Sequence, residues 1–306
     1  MTRRVFGESV RGASHIRNGR ECQDSLKKVE KDENTLILAV ADGHGSDSCP
    51  YSKTGSEVAV NVFCKIMGDY LETYAGEPEL LLTFLKREGD TKVAQAIDAE
   101  WKRRILKLHS KYKREIISDS ENNVTDAEHD ITDTEDNVLD AESGVSGIGR
   151  NKDKEAIYRM YGSTLIGLVI TNEFLFAFQL GDGDIVKVSE MGVQNIIEAD
   201  KILGTETHSL SKAESWKKAI TFIKKQEENE PLPIMYMLSS DGMANSYKND
   251  DEFKKTCSDY FDLLKEHGAK AVSDNLKAWL SETSELGCGD DITALFAYFG
   301  KGDCLV

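Results

Sequence analysis

The sequence predicts an α+β layered domain, and three observations carry that expectation. Short apolar runs recur in pairs across tight turns, and long stretches of helical periodicity fall into separate blocks. Strand–helix–strand alternation, the mark of a doubly wound parallel sheet, is scarce. With 306 residues, 40% of them hydrophobic, the chain can build one large domain or two modest ones.

Taken in order, "RVFGESVRGASH" at 4–15 and "TLILAVAD" at 35–42 read as two early strands. Residues 52–73 and about 78–115 carry helical periodicity, with Leu80, Leu81, Phe84 and Leu85 on one side of the second stretch. "STLIGLVI" and "FLFAFQL", joined by "TNE", have the pattern of a hairpin, and "DIVKVSE" and "VQNIIE" follow as short strands. A helix is expected near 212–225, then the strand "PIMYMLSS". Two helical stretches lie between about 250 and 284, and "DITALFAYF" closes the chain as a last strand.

Formal net charge is −16, which argues against nucleic acid or anionic lipid as partners. From Glu115 to Gly149 there are eleven acidic residues and no Lys or Arg, so one stretch supplies most of the acidity. It repeats every seven residues, with Val124, Ile131 and Val138 as the one apolar position that recurs. One apolar position per heptad makes no coiled-coil seam, and too little apolar surface is present to offset ordering entropy. The whole chain therefore reads as one domain with a mobile acidic insertion at about 117–155, a flap or a docking arm for a basic partner. Calcium binding is the sharper alternative, although the glycine and terminal glutamate of an EF-hand loop are missing. No apolar run approaches the roughly 20 residues that cross a membrane. The start "MTRRVFGESVRG" lacks the apolar core of a secretory leader. Six scattered cysteines without a CxxC pair fit free thiols, so a cytoplasmic location is expected.

Aspartates mark the ends of the apolar runs. Asp42-Gly43 follows "LILAVA", Asp182-Gly183 follows "FLFAFQLG", and Asp241-Gly242 follows "IMYMLSS". Asp290 and Asp291 precede "ITALFAYF", and Asp24 sits near the first strand in "GRECQDS". Any one Asp-Gly pair is an ordinary turn. Several carboxylates gathered at one end of a sheet repel unless a cation neutralises them, and an all-oxygen set selects Mg²⁺ or Mn²⁺ over zinc. Two such ions suit phosphate ester hydrolysis by an activated water, and His44, two residues past Asp42, could protonate the leaving group.

In this order, "ECQDS", "ADGHG", "YGSTL", "QLGDGD", "LSSDGM" and "GDDITAL" resemble the motifs of the metal-dependent protein phosphatases (PPM, type 2C) over nearly the whole chain. The opening "SVRGASHIRNGRECQDS" is similar to the bacterial-type branch. The resemblance implies a central β-sandwich of two antiparallel sheets flanked by helix pairs, with two Mg²⁺ or Mn²⁺ ions in a cleft at one end. It implies that Asp42 bridges the ions, that Gly43 ligates through its carbonyl and that Asp241 and Asp290 complete the pair. Asp24 would orient metal-bound water, Asp182 with Asp241 would hold a weaker third ion, and His44 would be the general acid. It also implies a phosphorylated protein as substrate, with a serine/threonine kinase as natural counterpart. The chain departs from the pattern at Gly19, where the family has a phosphate-gripping arginine, leaving Arg20, Arg17 or His15 to substitute. Gln23 replaces a common Glu, while Asp184 and Asp291 are expected to make the cleft more acidic. Two rivals follow: a phosphatase of small metabolites, and a pseudophosphatase that binds phosphoproteins as a scaffold.

Overall fold

A computed structural model describes residues 2–122, 147–198, 207–226 and 231–300. Among these residues, ten strands form two five-stranded sheets, each wholly antiparallel. One sheet has the order β1 (Thr2–Val10), β10 (Ile292–Gly300), β9 (Ile234–Ser239), β6 (Asp184–Ser189), β7 (Gly192–Asn195). The other runs β2 (Ser25–Glu30), β3 (Leu36–Ala41), β4 (Leu165–Ile170), β5 (Phe174–Leu180), β8 (Ile220–Lys225).

The continuous apolar runs are explained by burial on both faces. Along β3, Leu36, Leu38 and Val40 join a core between the sheets with Leu168, Leu238 and Leu295. Ile37, Ala39 and Ala41 face the other way, onto α2 (Ser52–Thr73), α3 (Pro78–Glu88) and α4 (Ala94–Asn122). Across the molecule, Met235, Met237 and Phe296 pack against Phe253, Phe261 and Leu276 of α7 (Asp250–Leu286). Backbone of φ +76° at Gly268 breaks α7, which gives the two expected helical stretches. A central strand covered on two sides has no polar face to show, so its sequence does not alternate. The "TNE" turn closes as expected, with the Thr171 hydroxyl accepting from the Glu173 and Phe174 amides at 3.1 and 3.0 Å.

Some expectations are corrected. The helix expected over 212–225 is a single helical turn at Ser215–Lys218, and the backbone is extended again by Ala219. Ile220, Thr221 and Ile223 then favour strand β8, which pairs along β5. β2 was not foreseen, because Leu26 and Val29 are spaced by three and Lys27 and Lys28 interrupt the apolar pattern. "RVFGESVRGASH" stops as a strand at Val10, after which Ala13–Arg17 forms the short helix α1. "VQNIIE" is a strand only as far as Asn195. Of the acidic insertion, 123–146 lie outside the described residues. Its expected flanks are helical, the first ending α4 and the second belonging to α5 (Gly147–Arg159). Among the described residues no helix is long and apolar enough to cross a membrane.

Candidate metal centre

The strand ends converge as their aspartates suggested. β3 ends at Ala41 and is followed by Asp42, whose amide donates to the Thr164 hydroxyl at 3.0 Å while the Thr164 amide donates to its carbonyl at 2.8 Å. Gly43 then threads a gap between two other segments. A Cβ there would lie 2.6 Å from the Gln23 carbonyl oxygen and 2.8 Å from that of Ser52, so only glycine passes. The next residue, His44, donates its amide to the Gly162 carbonyl at 3.0 Å. Its ring occupies the place a side chain at 162 would take, since a Cβ there would come within 2.5 Å of the imidazole Cδ2.

Asp42, Gly43, His44, Asp241 and Asp290 line one cleft of about 620 Å³, together with Ser14, His15, Thr207, Lys212 and Cys288. Asp241 opens α6 (Asp241–Asn245) one residue after β9 and accepts from the Asn245 side-chain Nδ2 at 2.9 Å. Asp182 stands at the turn before β6, where it accepts from the Thr207 hydroxyl at 2.8 Å. Asp24 lies behind the cleft, 6% exposed, and accepts from the Ser240 hydroxyl at 2.6 Å through Oδ2. Its Oδ1 is buried without a hydrogen-bond partner.

Burial dominates the electrostatics. It pushes the Asp24 carboxyl up to about 7, against hydrogen bonding from Ser240 and Thr293, with Asp291 and Asp241 adding repulsion. Burial also raises Asp42 well above the usual carboxylate range, followed by the charges of Asp24 and Asp241. Asp241 is raised for the same first reason, although Asp42 is close enough to hydrogen-bond to it. Carboxyls placed this way are stable as carboxylates only beside a cation. The donors are oxygens, which suits Mg²⁺ or Mn²⁺, and the unpartnered Asp24 Oδ1 is an acceptor still to be matched. Among the described residues no three His, Cys, Asp or Glu side chains form a ready cage. Ions here would complete their shells with the Gly43 carbonyl and water, as Mg²⁺ commonly does.

His44 is held below the usual imidazole range by burial, against the charge of Asp182, with a smaller downward push from Lys212. A phosphoryl dianion arriving in the cleft would draw it back toward imidazolium.

Two aspartates expected to acidify the cleft do other work. Asp291 accepts from the Gly12 and Gln23 amides at 2.6 and 2.7 Å, and His15 Nδ1 stands 2.9 Å away. It ties the N-terminal loop to the start of β10. Asp184 shares the face of β6 occupied by Val186, toward α7, and its charge is felt at buried Cys257. The arginines expected to contact phosphate sit beside the cleft lining rather than in it. Arg20 donates to the Gly45 carbonyl and, at 2.5 Å, to Asp47. Arg17 is exposed on α1, its guanidinium beside Gly289. Neither lines the cleft, whereas Lys212, which sequence reasoning passed over, does.

Comparison with known proteins agrees with this architecture. No curated protein sequence matches the chain. Among solved structures, a serine/threonine phosphatase of S. agalactiae superposes with a TM-score of 0.56 at 16% identity, covering 97% of this chain and 99% of that one. PppA, a key regulatory component of T6SS in Pseudomonas aeruginosa, gives 0.52 at 16% identity over 98% and 99% of the two chains. The catalytic domain of the serine/threonine phosphatase PstP, solved with two manganese ions, gives 0.51 at 13% identity over 98% and 99%. At these identities the likeness is one of fold. The protein phosphatase 2C model matches the sequence itself, over residues 11–281, and so the chain belongs to the protein phosphatase 2C family.

Proposed function

We propose that this protein is a Mg²⁺- or Mn²⁺-dependent serine/threonine protein phosphatase that cleaves phosphomonoesters without a covalent intermediate. The observation that carries the reading is the forced proximity of buried Asp24 and half-buried Asp42 and Asp241, three carboxyls all raised toward protonation. Asp42, Asp241, Asp290 and the Gly43 carbonyl would hold two ions, with Asp182 beside Asp241 for a third. Bound ions would neutralise these carboxylates and the phosphoryl charge, and make hydroxide accessible near neutral pH. Asp24, fixed by Ser240 through one oxygen, would direct the attacking water with the other. His44, seated over Gly162, would give its proton to the departing alkoxide. With water as the nucleophile, no side chain need attack phosphorus. The substrate is a phosphorylated protein whose counterpart is a serine/threonine kinase, and the location is cytoplasmic.

The test is Mn²⁺-dependent hydrolysis of p-nitrophenyl phosphate and a phosphoserine peptide by wild type, Asp42→Asn and Asp241→Asn. Wild type should turn over, and each variant should lose about a hundredfold or more, as several kcal/mol of charge stabilisation disappear. A wild type no better than its variants at any metal concentration would leave a phosphoprotein-binding scaffold instead. Turnover of phosphorylated metabolites but not the peptide would make it a small-molecule phosphatase.

A further inference from the structure

We infer that Lys212 is the side chain that grips the phosphoryl group of the substrate, in place of the N-terminal arginine that this chain lacks at Gly19. The inference rests on the phosphatase reading above. Among the described residues lining the cleft, Lys212 is the one lysine or arginine. His15 faces Asp291, and Arg20 donates to Gly45 and Asp47 outside that lining.

The position of Lys212 is built rather than incidental. Its amide donates to the Ser209 carbonyl at 3.1 Å. Its own carbonyl accepts from Lys102 Nζ at 3.0 Å, and Asp98 holds that ammonium at 2.8–2.9 Å. Two residues earlier, the Leu210 amide donates to the Ser163 carbonyl at 2.9 Å, and the Ser163 amide donates to the Ser209 hydroxyl at 3.1 Å. Ser163 adjoins Gly162, the residue on which His44 is seated. The turn carrying Lys212 is thus registered against the proposed proton donor, and its charge is felt at that imidazole. A lysine ammonium is a compact point charge suited to a tetrahedral dianion from any side, whereas an arginine fork demands one bidentate geometry. Sharing the cleft with Asp42 and Asp241, it would add positive charge toward a bound dianion.

Lys212→Met keeps the aliphatic stem and removes the charge; Lys212→Arg keeps the charge; Lys217→Met is a control on an exposed lysine paired with Glu214. With Mn²⁺ present, Lys212→Met should raise both KM for p-nitrophenyl phosphate and the inhibition constant of inorganic phosphate by about tenfold or more. Lys212→Arg should recover most of that loss, and Lys217→Met should change neither. The Mn²⁺ concentration giving half-maximal activity should stay put, because the lysine holds phosphate and not metal. If wild type is active and Lys212→Met leaves both constants within twofold, the inference is wrong. It is equally wrong if Arg20→Ala produces the rise and Lys212→Met does not. Should wild type prove inactive, the phosphatase reading fails first. Calorimetric titration of the Mn²⁺-loaded protein with inorganic phosphate then still decides the role of Lys212, because equal affinity in wild type and Lys212→Met would overturn it.

Discussion

Asp291 and Asp24 are buried to almost the same degree at the same end of the sandwich, and the fold treats them in opposite ways. Around Asp291, both oxygens meet backbone amides and a histidine stands beside them, so the carboxylate closes a loop onto a strand. Around Asp24, one oxygen is satisfied by Ser240 and the other is left without a partner, while Asp291 and Asp241 add repulsion. A fully hydrogen-bonded buried charge is structural; a half-satisfied one keeps bonding capacity for something else. Satisfaction, more than burial, separates the frame of this cleft from its working groups.

The contrast can be broken by experiment. Asp291→Ala leaves the Gly12 and Gln23 amides without an acceptor and should cost about 3 kcal/mol in urea unfolding. A loss below about 1 kcal/mol would show that the latch is not structural. Next in size, Mn²⁺ at a hundred times its dissociation constant should stabilise wild type by about 2.7 kcal/mol in a thermal melt. Asp42→Asn should respond far less, whereas Asp291→Ala should keep the full metal response from its lower baseline. Smallest is the pH effect. With a carboxyl raised to about 7 in the fold and near its ordinary value when unfolded, stability from Asp24 is complete below about pH 4 and is lost as pH rises through 7. In chelator-treated protein, Asp24→Asn should therefore match wild type near pH 4. It should exceed wild type by about 2 kcal/mol at pH 8, because a raised group costs 1.36 kcal/mol per unit before the cleft relaxes toward water. An unchanged difference across that range would show that Asp24 titrates normally.

Much of the frame was readable in the chain. Runs such as "LILAVA" and "IMYMLS" declare themselves because both faces are covered, and the aspartates that end them could be read as a set. Where the sequence misled, a local pattern had two solutions or none. Ile220 to Lys225 carry enough apolar spacing for a helix, and only pairing with β5 makes them a strand. Asp291 looked like a second cleft acid because its partners, Gly12 and Gln23, lie far off at the other end of the chain. Lys212 gave no signal because its value comes from a turn fastened to Ser163, Lys102 and Asp98, contacts that no spacing rule encodes.

Gly162 puts the last of these points most sharply. It has no functional group, it neighbours no charge in the sequence, and the empty space at its Cβ is the seat of the His44 ring. Part of the information that shapes this cleft is therefore written as missing atoms. A saturation mutagenesis map should show positions 43 and 162 as intolerant as the aspartates they sit among. A search for reactive side chains would return neither.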